Sequence, residues 1–330
     1  MARVAVVIPS WNGRDLLAGM LPTLGAQTYR DFRTLVVDNG STDGTAAWLA
    51  SQWPDVEVQA LARNVGFAPA INHSVAAGEE DYVALLNNDM ELDPGWLEAL
   101  VHALDADPEA GAATPKQRSA SDRERLDGAG DTIAWTGGVS RRGIGELDRG
   151  QYDRGGRVFS ACAGAALYRR AALREVGPFD ESFFAYLEDA DWGFRAQLAG
   201  RPARYVPEAL VYHLGGATSR RTPARERYLI ARNHVAFVLK NFPAPWLVRF
   251  APLIAAELAR TLLVATRERQ ARAVLRGWRH AARRLPATLR ERRRVQATRT
   301  VPLTALEVAV FGAPRRARDL LSVRPTRAGA

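Results

Sequence analysis

Short apolar runs alternate with amphipathic segments through the first third of the chain. Ala5 to Ile8 is one such run, closed by Pro9-Ser10-Trp11-Asn12-Gly13. Thr34 to Val37 is a second; it ends in Asp38 and breaks into Asn39-Gly40-Ser41-Thr42-Asp43-Gly44. Tyr82 to Leu86 is a third, closed by Asn87-Asn88-Asp89. Leu16 to Ala26, Thr45 to Gln52 and Phe67 to Ala77 lie among these runs and read as helices. Strands alternating with helices predict βαβ units and a mostly parallel sheet. Three strands then end in polar loops at one edge, and in open α/β sheets ligands bind outside the carboxyl ends of strands. A strand tip such as Asp38 can accept hydrogen bonds from a ligand, although Asp before Gly also makes an ordinary turn.

The pattern changes twice further on. From Ser119 to Gly156 the chain is rich in Gly, Arg and Asp, with little helical periodicity. It reads as a long excursion carrying a hairpin, and its length suggests function or mobility. Asn241-Phe242-Pro243-Ala244-Pro245 then marks a boundary. Beyond it the periodicity is two-sided: Arg249, Arg260 and Arg267 share a helical face, with Leu247, Ile254, Leu258 and Leu262 opposite. Arg269, Arg272, Arg276, Arg279 and Arg283 repeat the pattern against Val274, Trp278 and Leu285, while Pro252 must start or kink a helix.

Charge sharpens that boundary. Residues 1–243 hold 26 Lys+Arg and 31 Asp+Glu, a net of −5, whereas residues 244–330 hold 19 and 5, a net of +14. Arg-rich amphipathic helices with Leu and Trp opposite suit an anionic membrane surface. They equally suit a helical pair packed on the preceding domain with its Arg side wet, and the two arrangements are compatible. No apolar run reaches the roughly 20 residues of a membrane span, and no secretory signal is legible at the N-terminus. The single cysteine, Cys162, excludes an internal disulfide, fits a reducing compartment and reads as packed core.

Several motifs resemble family 2 glycosyltransferases. Pro9-Ser10-Trp11-Asn12, Val37-Asp38-Asn39-Gly40-Ser41-Thr42-Asp43, Asn64-Val65-Gly66-Phe67 and Leu86-Asn87-Asn88-Asp89 are similar to the donor half of that family. Gly164-Ala165-Ala166-Leu167-Tyr168-Arg169-Arg170, Val176-Gly177-Pro178-Phe179-Asp180-Glu181 and Glu188-Asp189-Ala190-Asp191-Trp192 are similar to the acceptor half. The resemblance covers about residues 3 to 240 and looks closest to bacterial rhamnosyltransferase-like members. It implies a GT-A fold, an α/β mixed sheet with helices on both faces. Residues 1–243 would form that domain (donor half about 1–115, acceptor half about 116–243), and 244–330 a basic helical extension.

The resemblance also implies roles. Pro9, Trp11, Asp38, Asn64, Gly66, Asn88 and Asp89 would bind the donor nucleotide, with Asp38 at the base; Asp43 is a weaker candidate that could simply cap a helix. Asp89 would hold Mg²⁺ or Mn²⁺ against the diphosphate, and His213 is a second metal ligand in many members. Asn87 and Asn88 thin the fuller Asp-x-Asp form to one carboxylate, with Glu91 a possible helper. Asp189 would be the base of an inverting transfer, its pKa raised by neighbours and burial; by periodicity alone it is a helix start that favours acids. Gly164, Glu188, Asp191, Trp192, Arg220 and Arg221 would contact acceptor or diphosphate, although Trp192 also fits a core and the two Arg also fit a wet surface. The expected partners are a nucleotide-diphosphate sugar (dTDP or UDP, possibly dTDP-rhamnose), a glycan or polyprenyl-linked acceptor and an anionic membrane, with no nucleic acid. The place would be the inner face of the cell membrane, in cell-surface polysaccharide synthesis, with the Ser119–Gly156 excursion lining the acceptor pocket. A binding protein of the same fold without catalysis is the main rival, and a nucleic-acid binder acting through the basic tail a weaker one.

Overall fold

The computed structural model of the chain describes residues 2–76, 78–215 and 223–312. The donor half follows the expected alternation: β1 (Val4–Ser10), α1 (Arg14–Gly25), β2 (Phe32–Asp38), α2 (Thr45–Gln52), β3 (Glu57–Ala60), α3 (Phe67–Ala76) and β4 (Tyr82–Leu86). Then come β5 (Met90–Leu92), α4 (Trp96–Asp105) and β6 (Ala112–Ser119). The Gly/Arg/Asp-rich excursion holds short strands: β7 (Leu126–Gly128), β8 (Asp131–Ile133), β9 (Val139–Arg141) and β10 (Gly156–Val158), with β8 and β9 forming the expected hairpin. The acceptor half continues with β11 (Ala165–Arg169), α5 (Arg170–Val176), a single 3-10 turn (Glu181–Phe183), α6 (Glu188–Leu198) and β12 (Ala203–His213). The chain ends in helices: α7 (Pro223–Asn241), α8 (Ala244–Arg249), α9 (Ala251–Arg267), α10 (Ala271–Arg283), α11 (Leu285–Ala297) and α12 (Leu303–Phe311).

The strands lie in one mixed sheet in the order β10-β12-β6-β11-β4-β1-β2-β3, with β5 added to β12 and β7 to β6. Strands β4, β1, β2 and β3 run parallel, and β11 enters antiparallel between β4 and β6. Period-2 alternation explains why the runs read as continuously apolar. Val4, Val6 and Ile8 face a core with α1 and α4, while Ala5 and Val7 face another with α3 and α6. Each fully buried aliphatic side chain there contributes about 1.5–3 kcal/mol. The partner of β12 is parallel β6, and their register shifts between Val206 and Leu210 before resuming through His213↔Ser119.

The C-terminal helices share a core with the acceptor half. Phe194 of α6 packs 5.7 Å from Phe242, Trp246 lies 5.0 Å from Phe311, and Trp135 of the excursion stacks on Phe250 at 5.2 Å. Helix α10 lies against α7 where Gly277 lets the backbones meet; a Cβ there would stand 2.7 Å from the Tyr228 carbonyl. Pro252 begins α9, as its position required. Helix α9 is thinly buried: Ala265 is its buried residue, and Leu263 is 52% exposed. No described helix is long and apolar enough to cross a membrane.

Candidate active site

Three strand ends meet because β4, β1 and β2 are sheet neighbours. Pro9 and Ser10 pair in register with Val37 and Asp38, and Asn39 N–H donates to the Ser10 carbonyl at 2.8 Å. Asn88 Nδ2 donates to Ser10 Oγ at 2.9 Å, so the third strand end is tied to the first. Asp38 is buried, and its carboxylate accepts from the Ser41 backbone N–H at 3.0 Å on the loop side. Trp11 stands exposed on the loop after β1. Asn64 Oδ1 accepts from Gly66 N–H at 3.0 Å, and Asn39 Nδ2 donates to the Gly66 carbonyl at 3.0 Å. Gly66 has φ +99°, and a Cβ there would lie 2.6 Å from the Phe184 carbonyl, so donor and acceptor halves touch at this residue. Asp43 accepts from Thr45 N–H at 3.1 Å and from Arg14 N–H at 3.2 Å; its carboxylate is occupied in the turn before α2, whose N-cap is Gly44, and in tethering α1.

Asp89 and His213 come together through backbone pairing. His213 stands opposite Met90 in the β12–β5 ladder, next to Asp89. Asp89 Oδ2 lies 3.3 Å from His213 Nε2, and His213 Nδ1 lies 2.7 Å from Asp127 Oδ2. Asp127 is in turn paired with Arg141. Burial works to lower the His213 pKa, but hydrogen bonds to Asp127 and Asp89 outweigh it and push it up to about 9. The donor set fits a divalent cation. Two donors at about 2.1 Å from one ion stand about 3 Å apart, close to the observed spacing. Among the described residues no group of three or more His, Cys, Asp or Glu could hold a metal. The pair would therefore hold one together with ligand oxygens, which is how Mg²⁺ is commonly bound beside phosphates. Glu91 does not help: Arg123 engages its carboxylate at 2.6 Å on the surface.

Asp189 lies in the first turn of α6. Its Oδ2 accepts from Ala163 N–H at 3.2 Å and its Oδ1 from Ala190 N–H at 2.8 Å. Gly164 follows, and its carbonyl accepts from Asn87 N–H at 2.8 Å. One short backbone bridge thus joins Asp189 to the Asn87-Asn88-Asp89 loop. Burial raises the Asp189 pKa. Asp131 of β8 lies nearby, buried and accepting from Ser160 Oγ at 2.7 Å. Burial and the Asp189 charge push the Asp131 carboxyl up to about 7. Backbone donors on both Asp189 oxygens work against the rise in its own pKa. Burial and Asp189 also raise Glu188 well above the carboxylate range, and its Oε2 has no hydrogen-bond partner among the described residues. Cys162 is a free thiol whose pKa burial pushes up, the opposite of a nucleophile.

Two expectations are corrected. Asp191 is fully buried, with its carboxylate bound by Lys240 at 2.7 Å, Asn241 at 2.8 Å and Arg195 at 3.0 Å. Trp192 is 2% exposed, packs edge-on against Tyr168 and donates to the Gly177 carbonyl at 3.1 Å. Neither faces an acceptor; both hold α6. Arg220 and Arg221 lie outside the described residues. Sequence reasoning missed Asp127, Asp131 and Arg141, which the excursion brings to the site. The signal available was its wealth of Asp and Arg at a length beyond what a connection needs.

Comparison with known proteins agrees with the fold. The family model described as "Glycosyl transferase family 2" matches residues 5–177. An "N-acetylglucosaminyl-diphospho-decaprenol L-rhamnosyltransferase" of Mycobacterium tuberculosis is 31% identical over 247 residues, spanning 66% of this chain and 78% of the relative. A "PGL/p-HBAD biosynthesis glycosyltransferase" of Mycobacterium bovis is 27% identical over 200 residues, 60% of this chain and 70% of the relative. Among solved structures, the mannosyltransferase PcManGT of Pyrobaculum calidifontis, in complex with GDP-Man and Mn²⁺, superposes with a TM-score of 0.53 at 20% identity, over 93% of this chain and 86% of that one. GalNAc-T7 with UDP, GalNAc and Mn²⁺ gives 0.57 at 17% identity, over 72% of this chain and 48% of that one. These two share the GT-A-like fold. On the strength of the family match and the mycobacterial relative, this chain belongs to glycosyl transferase family 2 and is a glycosyltransferase of the rhamnosyltransferase-like kind.

Proposed function

We propose that the protein is an inverting, metal-assisted glycosyltransferase that moves a sugar from a nucleoside-diphosphate donor to a glycan or polyprenyl-linked acceptor. The observation that carries this reading is the bridge Asp189–Ala163-Gly164–Asn87, which joins a half-buried carboxylate to the Asp89–His213 pair. Asp38 receives the base, and Trp11 offers it a face. Asp89 and His213 would hold a divalent ion, which would supply charge neutralisation on the diphosphate. Asp189 takes the proton of the acceptor hydroxyl as that oxygen attacks the anomeric carbon. The bond from that carbon to the diphosphate breaks, and its electron pair leaves with the diphosphate. Attack from the face opposite the leaving group inverts the anomeric centre. Arg141, paired to Asp127, adds positive charge to this end of the site.

The name of the mycobacterial relative supports rhamnose as the sugar and a polyprenyl-diphosphate acceptor, hence a dTDP-sugar donor and a place in cell-surface polysaccharide synthesis. The charge of +14 on residues 244–330 and the exposed Leu263 support a peripheral position on the inner face of the cell membrane. A thermal-shift panel of UDP, dTDP, GDP and CMP, each with and without Mn²⁺, tests the donor site. One nucleotide is expected to raise Tm in a metal-dependent way, and Asp89→Ala is expected to abolish the rise. A flat panel on the wild type would move the reading to a protein of this fold that lacks the transfer activity.

A further inference from the structure

The segment between the 3-10 turn and α6 is built in a conformation that its own residues resist. Phe184, Tyr186 and Leu187 have φ of +66°, +69° and +69°, and none of them is glycine. Left-handed backbone is unfavourable for bulky L-residues and persists where the surroundings over-determine it. Leu187 is the residue from which α6 starts, and Glu188 and Asp189 follow at once.

The surroundings that fix it come from helix α7, far along the chain. Asn233 is buried, and its Nδ2 donates to the carbonyls of Phe183 at 3.1 Å, Ala185 at 2.8 Å and Tyr186 at 2.7 Å. Arg232 Nη2 donates to the carbonyls of Ser182 at 3.0 Å and Phe183 at 2.6 Å. Arg232 Nε donates to Asn233 Oδ1 at 2.8 Å, which fixes the amide's orientation. Two adjacent side chains thereby bind four carbonyls of one loop. On its opposite side the same loop meets the donor half, where Phe67 N–H donates to the Phe184 carbonyl at 2.6 Å.

We propose that Arg232 and Asn233 are positioning residues for the reaction: they hold 182–187 in its left-handed conformation and so set the first turn of α6, with Asp189 in place. This rests on the reading of Asp189 as the base. Neither side chain is itself bonded to a proposed donor-binding residue, so their loss is expected to tell on kcat more than on donor KM. Loss of the clamp should misplace the base without emptying the donor pocket, and misplacement by about 1 Å can cost on the order of 100-fold in rate.

The test uses the full-length protein and four variants: Asn233→Ala, Arg232→Lys, Leu187→Gly and the double variant Asn233→Ala/Leu187→Gly. Amide hydrogen exchange is followed by mass spectrometry, and kcat and donor KM are measured with dTDP-rhamnose and a polyprenyl-diphosphate N-acetylglucosamine acceptor. Asn233→Ala is expected to speed exchange in peptides covering 182–192 while those of β1, β2 and β4 stay protected. Its kcat is expected to fall by about 10- to 100-fold with donor KM within about threefold. Arg232→Lys, the milder change, should move both readouts the same way by less, and it decides the matter should Asn233→Ala not fold. Leu187→Gly in the Asn233→Ala background should restore part of kcat, because glycine adopts φ +69° freely. A purely packing role predicts that removing the Leu187 side chain makes the double variant worse, and that result overturns the proposal. So does wild-type exchange over 182–192 in both clamp variants. If the wild type itself transfers no sugar, the reading of Asp189 fails, and exchange still decides whether the clamp holds the loop.

Discussion

The site's chemistry depends on carboxylates whose neighbours assign them different tasks. Asp127 faces His213 Nδ1, which leaves Nε2 toward Asp89. Outer carboxylates of this kind fix a histidine's tautomer and orientation, and losing one typically weakens metal affinity by about 10- to 100-fold. Asp127→Ala is therefore expected to weaken Mn²⁺ binding in the presence of nucleotide by that amount, measured by titration of the free-ion EPR signal. Asp131 supplies a second test. In the folded chain it keeps its proton up to about pH 7, whereas an unfolded Asp releases it near about 3.9. Folding takes up a proton between these values, so the contribution is whole below about pH 4 and is lost as pH rises through about 7. Asp131→Asn cannot ionise. Its unfolding free energy is expected to exceed that of the wild type at pH 8 by a margin on the order of 4 kcal/mol, shrinking toward zero near pH 4. An equal margin at every pH would contradict this. None of these pairings was legible in the sequence. Asp127 and Asp131 sit in an aperiodic stretch, and their partners are 86 and 29 residues away.

At the level of elements, legibility followed burial. Strands β1, β2 and β4 and helices α1 to α3 were readable because the sheet is buried on both faces and its strands are plain apolar runs. The clustering of Asp38, Ser10 and Asn88 followed from their places at strand ends. Helix α6 was legible as a helix with an acidic start, but its depth was not: most of it is buried, and its Asp191 is matched from α7. Lys240 is the centre of that match, bound to both Asp180 and Asp191. Burial alone would raise the Asp180 pKa, but the Lys240 ammonium dominates and brings it down to about 2. Removing one member of a buried ionic set leaves an uncompensated charge and typically costs about 3–5 kcal/mol. Lys240→Met is expected to lose stability in that range in urea unfolding. A loss under 1 kcal/mol, of the size surface pairs give, would mean that solvent reaches Asp191.

For the molecule as a whole, the basic extension is also a structural part of the acceptor half, since Trp246, Phe250, Leu306 and Val310 lie in the same cluster as Phe183 and Phe194. Both readings of the tail can hold on different faces: each of its helices buries residues against the domain, while Leu263 of α9, Leu275 of α10 and Leu289 of α11 stay exposed. Full-length protein is expected to float with phosphatidylglycerol vesicles and to stay behind with phosphatidylcholine, and Leu263→Asp should reduce flotation without lowering Tm. Flotation with neither lipid would remove the membrane from the proposal. The β12 ladder carries a different consequence, for how the chain's length can drift. Asp89 and His213 are far apart in sequence, and their meeting depends on counting: side chains alternate along a strand, so a slip of one residue would bring Leu214 into the slot of His213. The irregular stretch between Val206 and Leu210 is a slack zone where a residue gained or lost can be taken up. Between Leu210 and His213 there is no slack. Homologous chains should therefore vary in length before Leu210 and keep a fixed count after it, a parity rule written in the backbone rather than in any side chain.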